Sequence, residues 1–208
     1  MPGRLSVLMV STSLWRVALW VDELLARDDH DDIEVVLVDN DSSEIAWEVL
    51  RVKYDDDDRV VLWRPALRLP KSVAIDVAIS KSSGEHLLLL DPTYELREGA
   101  IRTLLEPLSD PAVKGAQAIV RGPDSTVESA GWVFPDVDAA PLRFLAGHPV
   151  EDARTVQSRA VHAADARALM LRASDVIAVR GAYPLFGDHY FDVDLCLRFA
   201  RDQHPEDI

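Results

Sequence analysis

Asp91 is the acid best placed to do chemistry. It closes the run Gly84-Glu85-His86 followed by Leu87 to Leu90, an apolar stretch too short for a membrane span and unbroken by polar residues. That pattern predicts a strand covered on both faces, as in the middle of a parallel sheet. Ligands of open α/β sheets bind in the crevice beyond the carboxyl ends of the strands, so a carboxylate there is placed to hold a metal or a substrate hydroxyl. Thr93 stands two positions on, where a second acid would make a stronger cation site.

The other reactive side chains carry weaker signals. The acidic runs Asp28-Asp29-His30-Asp31-Asp32 and Asp55 to Asp58 lack the alternating ligands and glycine turn of a calcium loop and read as solvated loops. The lone Cys196 rules out an internal disulfide and a cysteine-built zinc site. His30, His162 and His189 have no metal-ligand spacing. His148 reads as a surface-loop residue, with a place at a ligand site as the alternative. Trp63 and Trp132 offer surfaces for stacking on a ligand ring, but their place on strand-like segments favours core packing.

Composition bounds the classes. With 208 residues, 48% hydrophobic and 28% charged, the chain suits one folded domain, residues 1–208. A formal charge of -14 argues against nucleic acid and against an anionic membrane surface. No apolar run approaches a membrane span, and Leu5 to Val10 is too short for a signal-peptide core, so a cytoplasmic location is expected. The oligomeric state is not legible.

The elements that must position Asp91 follow from periodicity. Strand patterns at Leu5 to Val10, Ile33 to Val38, Arg59 to Trp63 and His86 to Leu90 alternate with helices. The first helix is expected to be capped by Ser11-Thr12-Ser13 and to bury Val17, Val21, Leu24 and Leu25; the second is marked by Ile45, Val49 and Leu50; the third covers Ser72 to Lys81. The alternation predicts an α/β fold with a doubly wound, mostly parallel, Rossmann-like sheet. Beyond a helix at Ala100 to Leu108 the texture changes. Ala116 to Arg121 and Thr126 to Phe134, joined by Gly122-Pro123-Asp124, predict a small antiparallel extension. Ala139 to Ser158 is irregular and long enough to be functional or mobile. Ala168 to Arg172 reads as a strand, Ser174 as the cap of a short helix, and Asp192 to about Asp202 as the last helix.

In this order the pieces resemble a family 2 glycosyltransferase of the GT-A fold, a nucleotide-diphospho-sugar transferase. The resemblance is carried by Leu5 to Thr12, Val36 to Ser43, Ser83-Gly84-Glu85 with Leu87 to Thr93, Ser129 to Phe134, Arg180-Gly181-Ala182-Tyr183, and Tyr190 to Arg198. It implies transfer of a sugar from a nucleotide-diphosphate donor to a hydroxyl of a glycan or small-molecule acceptor, with inversion, in polysaccharide biosynthesis or decoration of a metabolite. Residues 1–110 would bind the nucleotide sugar and residues 111–208 the acceptor.

Carried over by residue, Asp39 matches the acid that contacts the nucleotide, with a turn residue bonded to its own backbone as the alternative. Asp91 matches the first acid of the metal-binding Asp-X-Asp motif, with a turn or cap role before Pro92 as the alternative. Asp192 matches the general base; the alternative is that Asp192 and Asp194 complement a helix N-terminus. The metal implied is Mg²⁺ or Mn²⁺ on Asp91 and Thr93, or on Asp91 and the diphosphate alone.

The chain departs from the family at Thr93, where a lost carboxylate removes roughly 4 kcal/mol per unit charge at 4 Å and an effective dielectric of about 20, before desolvation. Asp76 stands in Ile75-Asp76-Val77-Ala78 where the family faces the donor with Asn and Gly, so it belongs to the donor-binding set unless turned away or paired with Lys71 or Arg68. The chain also ends soon after the last helix, which implies a domain cut short at its C-terminus, with His204 a weak stand-in for the family's histidine. These departures motivate the alternative of a degenerate, non-catalytic GT-A domain serving as a scaffold or partner-binding module. A nucleotidyltransferase is the weaker third reading, because no glycine-rich phosphate loop follows the first strand.

Overall fold

The computed structural model describes residues 3–136, 138–154 and 158–203. In the first half β1 (Leu5–Ser11), α1 (Val17–Leu25), β2 (Ile33–Asp39), α2 (Glu44–Lys53), β3 (Val60–Trp63), α3 (Lys71–Lys81) and β4 (His86–Leu90) alternate as the sequence predicts. The second half adds α4 (Ala100–Leu105), β5 (Gly115–Gln117), β6 (Val120–Arg121), β7 (Val127–Ser129), β8 (Trp132–Val133), β9 (Leu142–Arg143), α5 (Val150–Arg154), β10 (Ala168–Arg172), α6 (Ala173–Ala178) and α7 (Phe191–Gln203).

Six strands form the main sheet in the order β3-β2-β1-β4-β10-β5. The first four are mutually parallel, and β10 runs antiparallel to both its neighbours. Strand order reverses between β1 and β4: the chain steps outward to β2 and β3, then returns to the other side of β1. The crevice expected at such a switch point opens beyond Ser11 and Leu90.

Alternation along each strand explains why both faces are covered. Val7 and Met9, Val35 and Leu37, Leu88 and Leu90, and Ala168 and Met170 join one apolar cluster with α1, α2 and α4. Leu8, Val36 and Val38, Leu87 and Leu89, and Leu169 and Leu171 join the other with α3, α6 and α7. Each fully buried leucine contributes about 1.5–3 kcal/mol, so the leucine run of β4 anchors both layers. Gly84 leads into β4 where a Cβ would lie 2.4 Å from Ser6 Oγ, a contact only glycine permits.

Several local expectations are corrected. Ser11 lies within β1, and Arg16 precedes α1 without a side-chain cap. Ile45 and Val49 face outward on α2, and Ala46 and Leu50 face the core, while Ser43 caps that helix from its hydroxyl. Pro107 tightens the chain after α4 into a 3-10 turn at Glu106–Ser109. Arg172, not Ser174, precedes α6, again without a side-chain cap. The stretch Ala116 to Arg121 divides, β5 joining the main sheet and β6 pairing with β7, and β8 pairs with β9. Nor is the first acidic run all solvated: Asp29 is buried, ion-paired to Arg27 at 2.9 Å, and accepts the Ile101 N–H of α4 at 3.2 Å.

Candidate active site

Beyond the carboxyl end of β4 lies an open cavity of about 470 Å³, lined among others by Lys71, Trp132, Arg143, Asp165, Arg167, Tyr190 and Asp192. Its walls come from distant parts of the chain: the first residue of α3, the β8–β9 pair, the segment entering β10, and the first turn of α7. Because β10 is antiparallel, its amino end sits beside the carboxyl end of β4, with Ala168 opposite Leu90. The Asp91 N–H donates to the Arg167 carbonyl at 3.0 Å, which brings Asp165 and Arg167 to the same crevice.

Asp192 sits on the cavity wall, 6% exposed. Its Oδ2 accepts the Trp132 indole N–H and the Ala166 backbone N–H, each at 3.1 Å. Burial pushes its pKa above the ordinary carboxylate value, and these donors and the nearby Asp165 charge modify that shift without reversing it. Asp194, on the same turn, has another task. It pairs with Arg198 at 2.8 Å, whose guanidinium donates to the carbonyls of Val179 and Gly181 and ties α7 to the end of α6.

Asp165 is equally buried but shifts the other way. Burial alone would raise its pKa, yet the Arg167 guanidinium, bonded to both oxygens at 2.9 and 2.7 Å, holds it below the ordinary value. Arg167 also reaches Glu128 at 2.7 Å and the Tyr94 hydroxyl at 3.0 Å, so this corner is a connected polar network. Sequence reading missed Asp165, Arg167 and Arg143. The signal available was a cluster of alternating charge just before a strand, which acquires meaning only with the strand's direction.

Asp91 adjoins the cavity through Lys71. Its Oδ1 accepts the Thr93 N–H at 3.0 Å and the Thr93 hydroxyl at 2.6 Å; its Oδ2 faces Lys71 Nζ at 3.4 Å. The lysine therefore pairs with Asp91, not with Asp76. Asp39 is fully buried at the end of β2, its Oδ1 accepting the Ser42 N–H at 3.0 Å, its Oδ2 the Ser42 hydroxyl at 2.8 Å, with Arg64 at 3.4 Å. Asp76 turns toward the α6–α7 connection and accepts the Ala182 N–H; burial raises its pKa. Gly181 has a positive φ of 68° and lies so close that a Cβ would sit 2.0 Å from Asp76 Oδ1, which gives the Arg180-Gly181-Ala182 motif a structural use. Neither Asp39 nor Asp76 lines the cavity.

The donor set at Asp91 does not suit a divalent cation. Hard cations want several anionic oxygens, and here a single carboxylate is already engaged by a hydroxyl and an ammonium. Among the described residues, no three His, Cys, Asp or Glu side chains group to hold a metal. His204 lies outside the described residues. His148 is exposed and does not line the cavity, and the His162 Nδ1 accepts the Phe134 N–H at 2.9 Å. Trp63 packs against the second apolar cluster as expected, whereas Trp132 is a wall residue, edge-on to Tyr190 at 5.6 Å with Arg143 5.2 Å above it.

The sequence matches the family model described as glycosyl transferase family 2 over residues 17–174, more than half of the chain. The protein belongs to glycosyltransferase family 2. Its fold is that of GT-A glycosyltransferases. A mannosyltransferase from Pyrobaculum calidifontis, solved in complex with GDP-Man and Mn²⁺, superposes with a TM-score of 0.68 at 15% identity over 97% of this chain and 53% of that one. GalNAc-T7, solved with UDP, GalNAc and Mn²⁺, gives 0.73 at 14% identity, covering 95% of this chain and 40% of that one. S. aureus TarS (1-349) gives 0.60 at 13% identity, covering 94% and 55%. This family member thus spans about half the length of those structures. No curated protein matches it in sequence. No helix among its described residues is long and apolar enough to cross a membrane.

Proposed function

We propose that this domain transfers a sugar from a nucleotide-diphosphate donor to an acceptor hydroxyl with inversion at the anomeric carbon. The observation that carries the reading is Asp192, a buried carboxylate of raised pKa on the wall of the cavity beside the segment that enters β10. A base whose pKa is lifted toward the working pH takes a proton more effectively, and such positioned bases are worth about 10²–10⁴ in rate. In the step proposed, the acceptor oxygen bonds to the anomeric carbon, its proton passes to Asp192, and the bond to the diphosphate breaks with its electron pair leaving on the diphosphate. Trp132 and Tyr190 offer the acceptor an aromatic wall beside that base.

Mn²⁺ accompanies two of the similar structures, and Mg²⁺ or Mn²⁺ is what the family resemblance implies. Among the described residues Asp91 alone would offer such an ion a carboxylate at that place, so the step above is not routed through it.

The test is calorimetric and thermal-shift titration with UDP, GDP and dTDP sugars, with and without Mn²⁺, followed by donor-consumption assays. Binding of at least one donor is expected. The complete absence of heat and of any shift would sink the reading. A second reading, a non-catalytic scaffold on this fold, is favoured by the closure of Asp39 around Ser42 and Arg64; donor binding without turnover of any acceptor or of water would favour it.

A further inference from the structure

Lys71 brings an ammonium to the edge of the cavity. It opens α3 directly after Pro70, and its backbone N–H is fixed by Asp188 Oδ1 at 2.7 Å. The root of the side chain is therefore held while the ammonium reaches Asp91 at 3.4 Å and borders the cavity. An ammonium carries three donors, so one bond to Asp91 leaves two for ligand oxygens. Lysine binds phosphate well as a point charge. On the same cavity wall Arg143 stacks over Trp132 and, among the described residues, meets a carboxylate only at Asp165, 3.7 Å away, which leaves most of its planar donor fork open to a ligand. Arg167, by contrast, is consumed by Asp165, Glu128 and Tyr94.

Resting on the nucleotide-sugar reading above, we infer that Lys71, seated on Asp91 and faced by Arg143, supplies the fixed positive charge that holds the donor diphosphate and receives its departure, with no divalent cation required. Asp91 then serves to position the ammonium, and Thr93 to position Asp91. Negative charge accumulates on the diphosphate as the glycosidic bond breaks, and preorganised cations stabilise that charge without reorganising. A second acid at position 93 would compete for Lys71, so its absence is consistent with this use of the lysine.

The experiment is calorimetric titration of the full chain with UDP, GDP and dTDP, once in EDTA and once in Mn²⁺. At least one nucleoside diphosphate binds in EDTA, and Mn²⁺ changes its Kd by less than tenfold. Lys71→Met weakens the metal-free binding tenfold or more, and Lys71→Arg restores it to within threefold. Binding that strengthens tenfold or more in Mn²⁺, that survives Lys71→Met, or that Lys71→Arg fails to restore overturns the inference and leaves the transferase reading standing. Absence of binding in both buffers overturns that reading itself, and the inference with it. Should Lys71→Met not fold, the salt dependence of metal-free binding to the unaltered chain decides. Weakening with ionic strength is expected from a charge contact, and indifference to salt overturns it.

Discussion

Asp165 and Asp192 line one cavity and are almost equally hidden, at 3% and 6% exposure, yet their acidities move in opposite directions. The difference is a guanidinium. Asp165 has Arg167 on both oxygens and stays ionised; Asp192 has an indole N–H and backbone N–H groups, with Asp165's charge nearby, and is pushed toward holding a proton. Burial alone therefore assigns no role to an acid in this crevice. The partner does, and it separates a carboxylate that organises the wall from one able to take a proton.

The largest break in that comparison is Asp192→Asn, which is expected to lower kcat by about 10²–10⁴ while leaving donor Kd within threefold, read by steady-state kinetics beside calorimetry. In the unaltered protein activity should fall as pH drops through the raised pKa of Asp192, so the acid limb of the rate profile lies above the ordinary carboxylate range.

Next in size is Arg167→Met. Among the described residues it leaves the buried Asp165 with only Arg143, 3.7 Å away, as a cation and is expected to cost about 3–5 kcal/mol in denaturant unfolding, the usual penalty for removing one partner of a buried pair. The sign with pH follows from the depressed folded pKa of Asp165. Its contribution is present above the ordinary value of 3.8 and is lost as pH falls through the folded one, so the variant's deficit shrinks in acid.

The smallest is Trp132→Phe. Removing the indole N–H takes away a donor to the ionised Asp192, which should move the acid limb of the rate profile further up in pH with little change in thermal unfolding. A limb that stays in place would show that the indole contributes packing alone.

Much of this was written into the chain. Leu87 to Leu90 declares a strand buried on both faces, because its apolar run leaves no side for water. The place of Asp192 at the head of the last helix was legible too; its place on the cavity wall was not. Where sequence reading strayed, a local signal had competition. Ser11 and Ser174 look like caps, but strand pairing claims the first, and the second lies inside α6, which begins at Ala173 directly after Arg172. Ile45 and Val49 look like a core face, though the helix turns Ala46 and Leu50 inward instead.

By itself, then, the sequence determined the alternation of strands and helices, the position of Asp91 at a strand's carboxyl end, and the family. Tertiary structure alone decided what those acids touch. A strand's side-chain pattern has a period of two residues and reads the same in either direction, so nothing in Ala168 to Arg172 announces that β10 runs antiparallel to β4. That direction carries Asp165 and Arg167 to the crevice. Lys71 likewise chooses Asp91 over Asp76, a choice set by how α3 lies across the sheet rather than by its distance along the chain.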